Sequence, residues 1–204
     1  ENPAHEPTLD SLANMIQRGD HELDAAEVLR PIYEASEQWE KLIGVQRLLL
    51  GSTEGAEERI EILKEIASIY EGCLEDKAEA FTAYAEALTE RPDDDAILDQ
   101  LERLAGELYA WDPYIDLLDQ QIEYSQDPVV QSVLQRRIAR VYEEQIQDAG
   151  AAIDRYSRVI EQDPMDEVAL PALDRLYMQE ARWESLTDVL SRRIEQSSDP
   201  DERL

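Results

Sequence analysis

The chain has 204 residues and is strongly acidic, with 48 Asp and Glu against 19 Lys and Arg and a net charge of −29. Hydrophobic residues make up 43% of it, which is enough to fill a packed core and too many for a disordered chain. A negative surface repels phosphates and no run of 18 apolar residues occurs, so we expect neither nucleic-acid binding nor membrane insertion.

The first half of the chain predicts a series of helices with short connections. The lead-in ends at Thr8, which is positioned to cap a helix that runs to about Arg18. A second helix follows, and Trp39 opens a third that ends near Gly51. Residues 56–92 hold two more helices, with apolar residues at helical spacing in each.

Aspartate followed by proline marks the helix starts of the second half. The pattern occurs at Asp112-Pro113, Asp127-Pro128 and Asp163-Pro164. In all we predict about eleven helices, and their short connections make neighbouring helices antiparallel. With partial units at both ends, the predicted helix pairs span about 21–55, 56–92, 93–127, 128–164 and 165–199.

The chain repeats itself with a period of 72 residues. Its three tryptophans, Trp39, Trp111 and Trp183, are separated by two gaps of 72. The same shift matches identical residues at many places: Ile66 and Ile138, Ala67 and Ala139, Tyr70 and Tyr142, Asp76 and Asp148, Tyr84 and Tyr156, Asp94 and Asp166, Leu101 and Leu173. Fixed-period similarity is the signature of a stacked repeat, so we predict one all-α solenoid over residues 1–204.

Residues 60–92 resemble the tetratricopeptide repeat. That pattern has a small residue and then an aromatic in the first helix, small residues in the second, and a proline at the exit. The matching residues are Ala67, Tyr70, Ala80, Ala87 and Pro92, and in the copy Ala139, Tyr142, Ala152, Tyr156 and Pro164. The resemblance implies a right-handed solenoid of antiparallel helix pairs. It also implies a non-enzymatic scaffold that holds a partner peptide or helix in its concave groove.

The resemblance places partner contacts on the first helix of each pair. The residues concerned are Lys64 and Ser68, their copies Arg136 and Arg140, and the adjacent Arg137. Because cations are scarce in this chain, their clustering favours an acidic peptide or a C-terminal carboxylate as the ligand. The alternative is that these arginines only pair with Glu143, Glu144 and the carboxylates of neighbouring helices.

The other residues that could form a site are better explained without a functional role. Neither histidine, His5 or His21, has partners at metal-ligand or catalytic spacing, and no phosphate-binding glycine loop is present, so we expect no enzyme, metal or cofactor. The repetition of the tryptophans predicts packing between helix pairs. The single cysteine, Cys73, is expected to be a small core residue, and its isolation favours a cytoplasmic protein.

Two functions remain open. The first is an interaction scaffold, which predicts a monomer; the second is a structural or self-assembling segment of a larger protein, which predicts self-association. Asp199-Pro200 repeats the helix-start pattern next to the end of the sequence, as expected for a piece of a longer chain. The acidity fits either a basic partner or a salt-adapted, very soluble surface.

Overall fold

A computed structural model of the chain describes residues 6–19 and 21–196. Within these ranges the fold is all-α, and the predicted class and number of helices are confirmed. The eleven helices are α1 (Glu6–Arg18), α2 (Glu22–Ala35), α3 (Trp39–Ser52), α4 (Ala56–Gly72), α5 (Lys77–Glu90), α6 (Asp95–Leu108), α7 (Trp111–Tyr124), α8 (Pro128–Val141), α9 (Ala149–Gln162), α10 (Ala169–Gln179) and α11 (Trp183–Gln196). A π-helical segment, Tyr142–Ile146, continues α8.

The helices form two compact units, Glu1–Tyr109 and Ala110–Leu204. In the first unit each helix from α1 to α6 packs against the next one along the chain. In the second unit the same holds from α7 to α11. Sequential contacts across connections of a few residues are typical of antiparallel helix hairpins. The continuous solenoid over the whole chain remains a prediction.

The core of each unit lies where small residues let two helices approach closely. Ala67 and Ala80 are fully buried in the first unit, and their copies Ala139 and Ala152 are fully buried in the second. Large aliphatic residues at repeat positions are buried as well: Ile66, Leu101 and Leu104, and Ile138, Leu173 and Leu176. Burying each such side chain contributes about 1.5–3 kcal/mol. The residues that define the repeat are therefore those that hold the helix pairs together.

Aspartates cap several helices, and the repeat preserves the caps. The Oδ1 atom of Asp76 accepts from the N–H of Glu79 at 3.1 Å, and that of Asp148 accepts from the N–H of Ala151 at 2.9 Å. Asp127 caps α8 as the Asp-Pro pattern predicts. A cap of this kind contributes about 1 kcal/mol.

Three predicted helix starts are wrong. Asp163-Pro164 does not open a helix, because Asp163 caps the C-terminus of α9 and α10 begins at Ala169. The other two are wrong by one or two residues. Helix α1 already begins at Glu6, so Thr8 lies in its first turn, and α7 begins at Trp111, so Asp112 lies inside it. Both helices carry a proline in the first turn, Pro7 or Pro113. Because backbone N–H groups there have no intrahelical acceptor, a proline is tolerated inside the helix as well as at its boundary.

The repeat extends to unusual backbone conformations. Glu37, Tyr109 and Ala181 adopt left-handed φ angles of 56°, 54° and 53°, and they are spaced by 72 residues. Each lies in the short turn that leads to a tryptophan. Glu75 and Gln147, another repeat pair, have φ angles of 55° and 63°. This conformation costs a non-glycine residue about 1–2 kcal/mol. Its recurrence with different side chains indicates that helix packing imposes these turns.

The three tryptophans occupy the first position of α3, α7 and α11. Trp39 and Trp111 are half-buried, and the Trp111 ring meets Tyr114 edge to face with 6.4 Å between centroids. Trp183 is 62% exposed. The packing prediction is therefore wrong for Trp183, because no described helix covers most of this ring.

Candidate interaction surfaces

Arginines link neighbouring helices, or the turns beside them, through ion pairs. Within the described part of the chain such pairs include Arg30–Glu65, Arg47–Glu86, Arg59–Glu90, Arg91–Glu57, Arg103–Glu71, Arg136–Asp166, Arg155–Asp119 and Arg175–Glu143. A planar guanidinium with five N–H donors suits this bridging better than a lysine ammonium does. The scarce cations therefore serve mainly to hold the helical frame.

The face of α4 contains the first two predicted contact residues. The Lys64 Nζ atom lies 3.1 Å from a carboxylate oxygen of Glu61 on the same helix. Ser68 is exposed and lines a cleft of about 270 Å³ between α2, α3 and α4. The other lining residues are Arg30, Glu34, Trp39, Leu42, Gln46, Glu65 and Ile69. Ser68 and the indole of Trp39 thus border one concave surface, which we call the α4 cleft.

Glu65 is the polar centre of the α4 cleft. Its Oε2 atom accepts from Arg30 Nη2 at 2.5 Å and from Gln46 Nε2 at 2.7 Å. Gln46 is buried, and its Oε1 atom has no hydrogen-bond partner within the described part of the chain. A buried acceptor without a donor is costly, at about 1–3 kcal/mol. One amide oxygen beneath the cleft is therefore left without a hydrogen bond.

Arg136 on α8 is part of the frame. It forms an ion pair with Asp166, whose side chain is only 5% exposed. The Oδ1 atom of Asp166 also accepts from the backbone N–H groups of Val168 at 3.0 Å and Ala169 at 2.7 Å. Arg136 thus joins α8 to the turn before α10, and this contact fits the alternative that the arginine pairs with a carboxylate of a neighbouring helix.

The remaining predicted contact residues, Arg137 and Arg140, also lie on α8. Arg137 is half-buried and Arg140 is exposed. They are the 72-residue copies of Glu65 and Ser68. Equivalent positions therefore carry an acid and a hydroxyl in the first unit and two cations in the second. Sequence reasoning missed Glu65, because spacing alone does not show which carboxylate meets Arg30.

A larger cleft, of about 730 Å³, lies between α1, α2 and α3 and was not predicted. Its floor and rim are formed by Leu9, Asp10, Ala13, Ile16, Tyr33, Gln38, Lys41, Gly44 and Val45. We call it the α1–α3 cleft. The signal that indicates it in the sequence is Gly44, because the repeat copies of this position, Asp116 and Asp188, both carry side chains.

Two features typical of metal-binding and membrane proteins are absent from the described part of the chain. Among residues 6–19 and 21–196, no group of three His, Cys, Asp or Glu side chains is placed to hold a metal ion. Within the same ranges, no helix has the length and apolar character needed to cross a bilayer. Cys73 is exposed at the end of α4, so the prediction that it is a core residue is wrong. At the end of a helix its small side chain projects beyond the packed face.

Comparison with known proteins finds no matching family model and no matching curated protein. Solved structures with a similar fold include MamA, at 13% identity and a TM-score of 0.46 over 85% of this chain and 90% of that one. BtubC (BKLC) from P. vanneervenii has 12% identity and a TM-score of 0.47 over 92% and 88% of the two chains. YrrB, described as a TPR protein with an unusual peptide-binding site, has 14% identity and a TM-score of 0.43 over 95% and 96%. The chain is an all-α protein of sequentially packed helices, and the solved structures that it resembles include tetratricopeptide repeat proteins.

Proposed function

We propose that the chain is a non-enzymatic scaffold that binds a peptide or helical segment of a partner protein on the first-helix face of its pairs. The observation that carries this proposal is the α4 cleft of about 270 Å³, in which Ser68 lies beside Trp39. Ser68 is a position where the resemblance to tetratricopeptide repeats implies partner contacts. A half-buried indole beside an exposed hydroxyl is a suitable surface for binding a peptide there.

The ion-paired frame supports this role. Arginine bridges such as Arg103–Glu71 and Arg175–Glu143 connect helices about 30 residues apart in the sequence. A surface that is rigid before binding loses less conformational entropy when a partner docks. Fixed helix faces are therefore better suited to recognition than to reactions that need moving loops.

The charges on α8 indicate the chemistry of the partner. Arg137 and Arg140 occupy, in the second unit, the positions of Glu65 and Ser68 in the α4 cleft. A carboxylate that reaches these guanidinium groups gains charge-assisted hydrogen bonds of roughly 1.5–3 kcal/mol each. We propose that the partner segment is acidic or ends in a carboxylate where it meets α8.

The test is selection of displayed random 12-residue peptides on the immobilised chain, followed by fluorescence anisotropy with the enriched peptides. Changing Arg137→Glu with Arg140→Glu should weaken binding of acidic peptides at least tenfold. The matched control reverses Arg158 and Arg182, which are exposed and have no ion pair within the described residues. Equal weakening by both double variants indicates diffuse charge attraction and rejects the site on α8.

A second candidate function is self-association, which the exposure of Trp183 favours. The ring is 62% exposed, and Val168 and Met178 of the same unit are also exposed. Large exposed apolar side chains often mark protein contact surfaces. Sedimentation velocity across a concentration series separates the two candidates. A scaffold stays monomeric, whereas the sedimentation coefficient of a self-associating chain rises with concentration. Trp183→Ala should abolish that rise.

A further inference from the structure

The α1–α3 cleft combines an apolar floor with charged groups at its rim. Leu9, Ala13 and Ile16 of α1 are half-buried and face Tyr33 and Val45, which are buried. At Gly44 a Cβ atom would meet no other atom within 4 Å, so the absence of a side chain leaves open space. The cleft is therefore concave and largely apolar, as binding sites for apolar groups usually are.

Lys41 is the cation of this cleft. Its Nζ atom donates to Gln38 Oε1 at 2.7 Å and lies 5.5 Å from the centroid of the Tyr33 ring. Within the described part of this very acidic chain, no carboxylate pairs with Lys41. The ammonium is thus oriented by an amide and an aromatic ring and remains available to an anion from outside.

Asp10 provides the opposite charge across the cleft. Burial, and then the charge of Asp10, raise the pKa of the Tyr33 hydroxyl. A ligand in the cleft therefore meets a carboxylate on α1 and an ammonium on α3. Such a pair discriminates against a purely apolar ligand and orients one that has both an anion and N–H donors.

The repeat provides an internal comparison, because α9, α10 and α11 are copies of α1, α2 and α3 shifted by 144 residues. The copies of Leu9, Ile16, Tyr33 and Val45 are Ile153, Ile160, Tyr177 and Val189. All four copies are buried in one core cluster. At the copied positions of Lys41 and Gly44 stand Ser185 and Asp188. Leu9 and Ile16 are half-buried in the first unit, whereas their copies are buried in a cluster to which Ala139 of α8 also contributes. The first unit thus has an apolar surface on α1 that is partly open, and Lys41 beside it.

We propose that the α1–α3 cleft binds a short segment of a partner protein that presents one or two large apolar side chains beside a carboxylate. The inference rests on the proposed scaffold role and adds to it a second site on different helices. The apolar side chains take the space over Leu9, Ile16 and Val45, and the carboxylate pairs with Lys41. Backbone N–H groups of the segment donate to Asp10.

The variants that test this proposal follow from the geometry. Gly44→Leu places a side chain in the cleft, and its Cβ atom would meet no other atom within 4 Å. Leucine is also the better helix former, so we expect the variant to fold. Gly72→Leu is the matched control, since Gly72 also has open space around it and lies outside the cleft. Lys41→Glu reverses the anchoring charge, and Arg158→Glu is its control at an exposed position.

The probe is a displayed library of random 16-residue peptides, selected on the wild-type chain after removal of phage that bind Gly44→Leu. We expect enriched peptides with large apolar residues next to Asp or Glu. Their dissociation constants should rise at least tenfold with Gly44→Leu and with Lys41→Glu. These dissociation constants should change less than twofold in the two controls, Gly72→Leu and Arg158→Glu. The same is expected for the α8 double variant, Arg137→Glu with Arg140→Glu. Loss of binding in the α8 variant instead would place these peptides at the other site and overturn the proposal.

Selective ¹⁵N-glycine labelling gives an independent readout, because the chain has only seven glycines. The Gly44 signal is assigned by its loss in Gly44→Leu and should shift most when an enriched peptide is added. Three results overturn the proposal. In the first, the enriched peptides are basic and lack apolar residues. In the second, the Gly44 signal shifts when decanoate is added but not with any peptide, and in the third the chain forms a concentration-dependent dimer that Gly44→Leu abolishes. The last two results assign the cleft to a small amphiphile or to a second copy of the chain.

Discussion

Arg103 and Glu71 form an ion pair that recurs 72 residues later as Arg175 and Glu143. The Nη2 atom of Arg103 lies 2.8 Å from Glu71 Oε2, and that of Arg175 lies 2.6 Å from Glu143 Oε1. Glu71 and Arg103 belong to α4 and α6, and Glu143 and Arg175 belong to the π-helical segment after α8 and to α10. The first ion pair thus joins the end of α4 to the middle of α6. The second joins the π-helical segment after α8 to the middle of α10.

The first prediction concerns this recurring link. Arg103 also donates to Glu107, and about a third of its side chain is exposed, so Arg103→Met should lower the free energy of unfolding by about 1–2 kcal/mol. The Arg175 side chain is 54% exposed. For that reason Arg175→Met should lower the free energy of unfolding by less, about 0.5–1 kcal/mol. Urea unfolding followed by circular dichroism measures both, and a larger loss for Arg175→Met would contradict the structural assignment.

Left-handed turns provide the second prediction. Ala181 has a φ angle of 53° and an exposed side chain, so Ala181→Gly relieves backbone strain and should stabilise the protein by about 0.5–1 kcal/mol. The control is Ala78→Gly, at an exposed position inside α5, where glycine should cost about 1 kcal/mol. Thermal melts compare the two variants with the wild type. If both substitutions raise the melting temperature, or both lower it, the interpretation that helix packing imposes these turns is wrong.

Core packing at the repeat alanines gives the third prediction. Ala139 is fully buried, so Ala139→Leu should overpack the contact between helices and cost about 1–3 kcal/mol. Its copy Ala67 is buried to the same degree, and Ala67→Leu should behave alike. The exposed Ala78→Leu should change stability by less than about 0.5 kcal/mol. The comparison is made by urea unfolding, and a harmless Ala139→Leu would mean that the repeat register is wrong.

How much of this structure the sequence predicts depends on how local each feature is. The 72-residue period predicts the helices and the buried alanines because repeated residues occupy repeated environments. It fails for Trp183, since the exposure of that ring depends on which helix lies next to it. It also does not identify Asp166 as the partner of Arg136, because 30 residues separate the two in the sequence. The α1–α3 cleft likewise depends on the spacing between helices, which periodicity does not give.

Alkaline pH provides the fourth prediction. Burial and the neighbouring Glu143 raise the pKa of Tyr156 to about 12. In the unfolded chain a tyrosine ionises near pH 10. Between these two values the unfolded state releases its proton first, so stability is full below about pH 10 and falls as the pH rises towards 12. The loss should reach about 2–3 kcal/mol for this residue.

Tyr156→Phe isolates that contribution. The variant should lose less stability than the wild type between pH 9.5 and 11.5, as measured by urea unfolding at each pH. Burial and Glu71 also raise the pKa of Tyr84, so Tyr84→Phe should have an effect of the same sign. The Tyr109 side chain is 90% exposed, so Tyr109→Phe serves as the control. Equal pH profiles for Tyr156→Phe and Tyr109→Phe would contradict the assignment.

The last prediction separates the structural arginine of α8 from the exposed one. Arg136 pairs with the nearly buried carboxylate of Asp166, so Arg136→Glu sets two negative charges against each other and leaves Asp166 without its cation. Breaking a buried pair from one side costs about 3–5 kcal/mol, so the melting temperature should drop strongly. Arg140 is exposed, and Arg140→Glu should cost no more than about 1 kcal/mol.

A rescue experiment makes the assignment of Arg136 specific. Asp166→Asn keeps an oxygen that accepts from the N–H groups of Val168 and Ala169 and removes the negative charge. In that background Arg136→Glu should therefore lose much less stability than it does in the wild type, and urea unfolding of the four proteins of the cycle gives the coupling directly. A coupling near zero would show that Asp166 is not the partner of Arg136. Arg136 would then rejoin Arg137 and Arg140 as a candidate for contacting an acidic ligand.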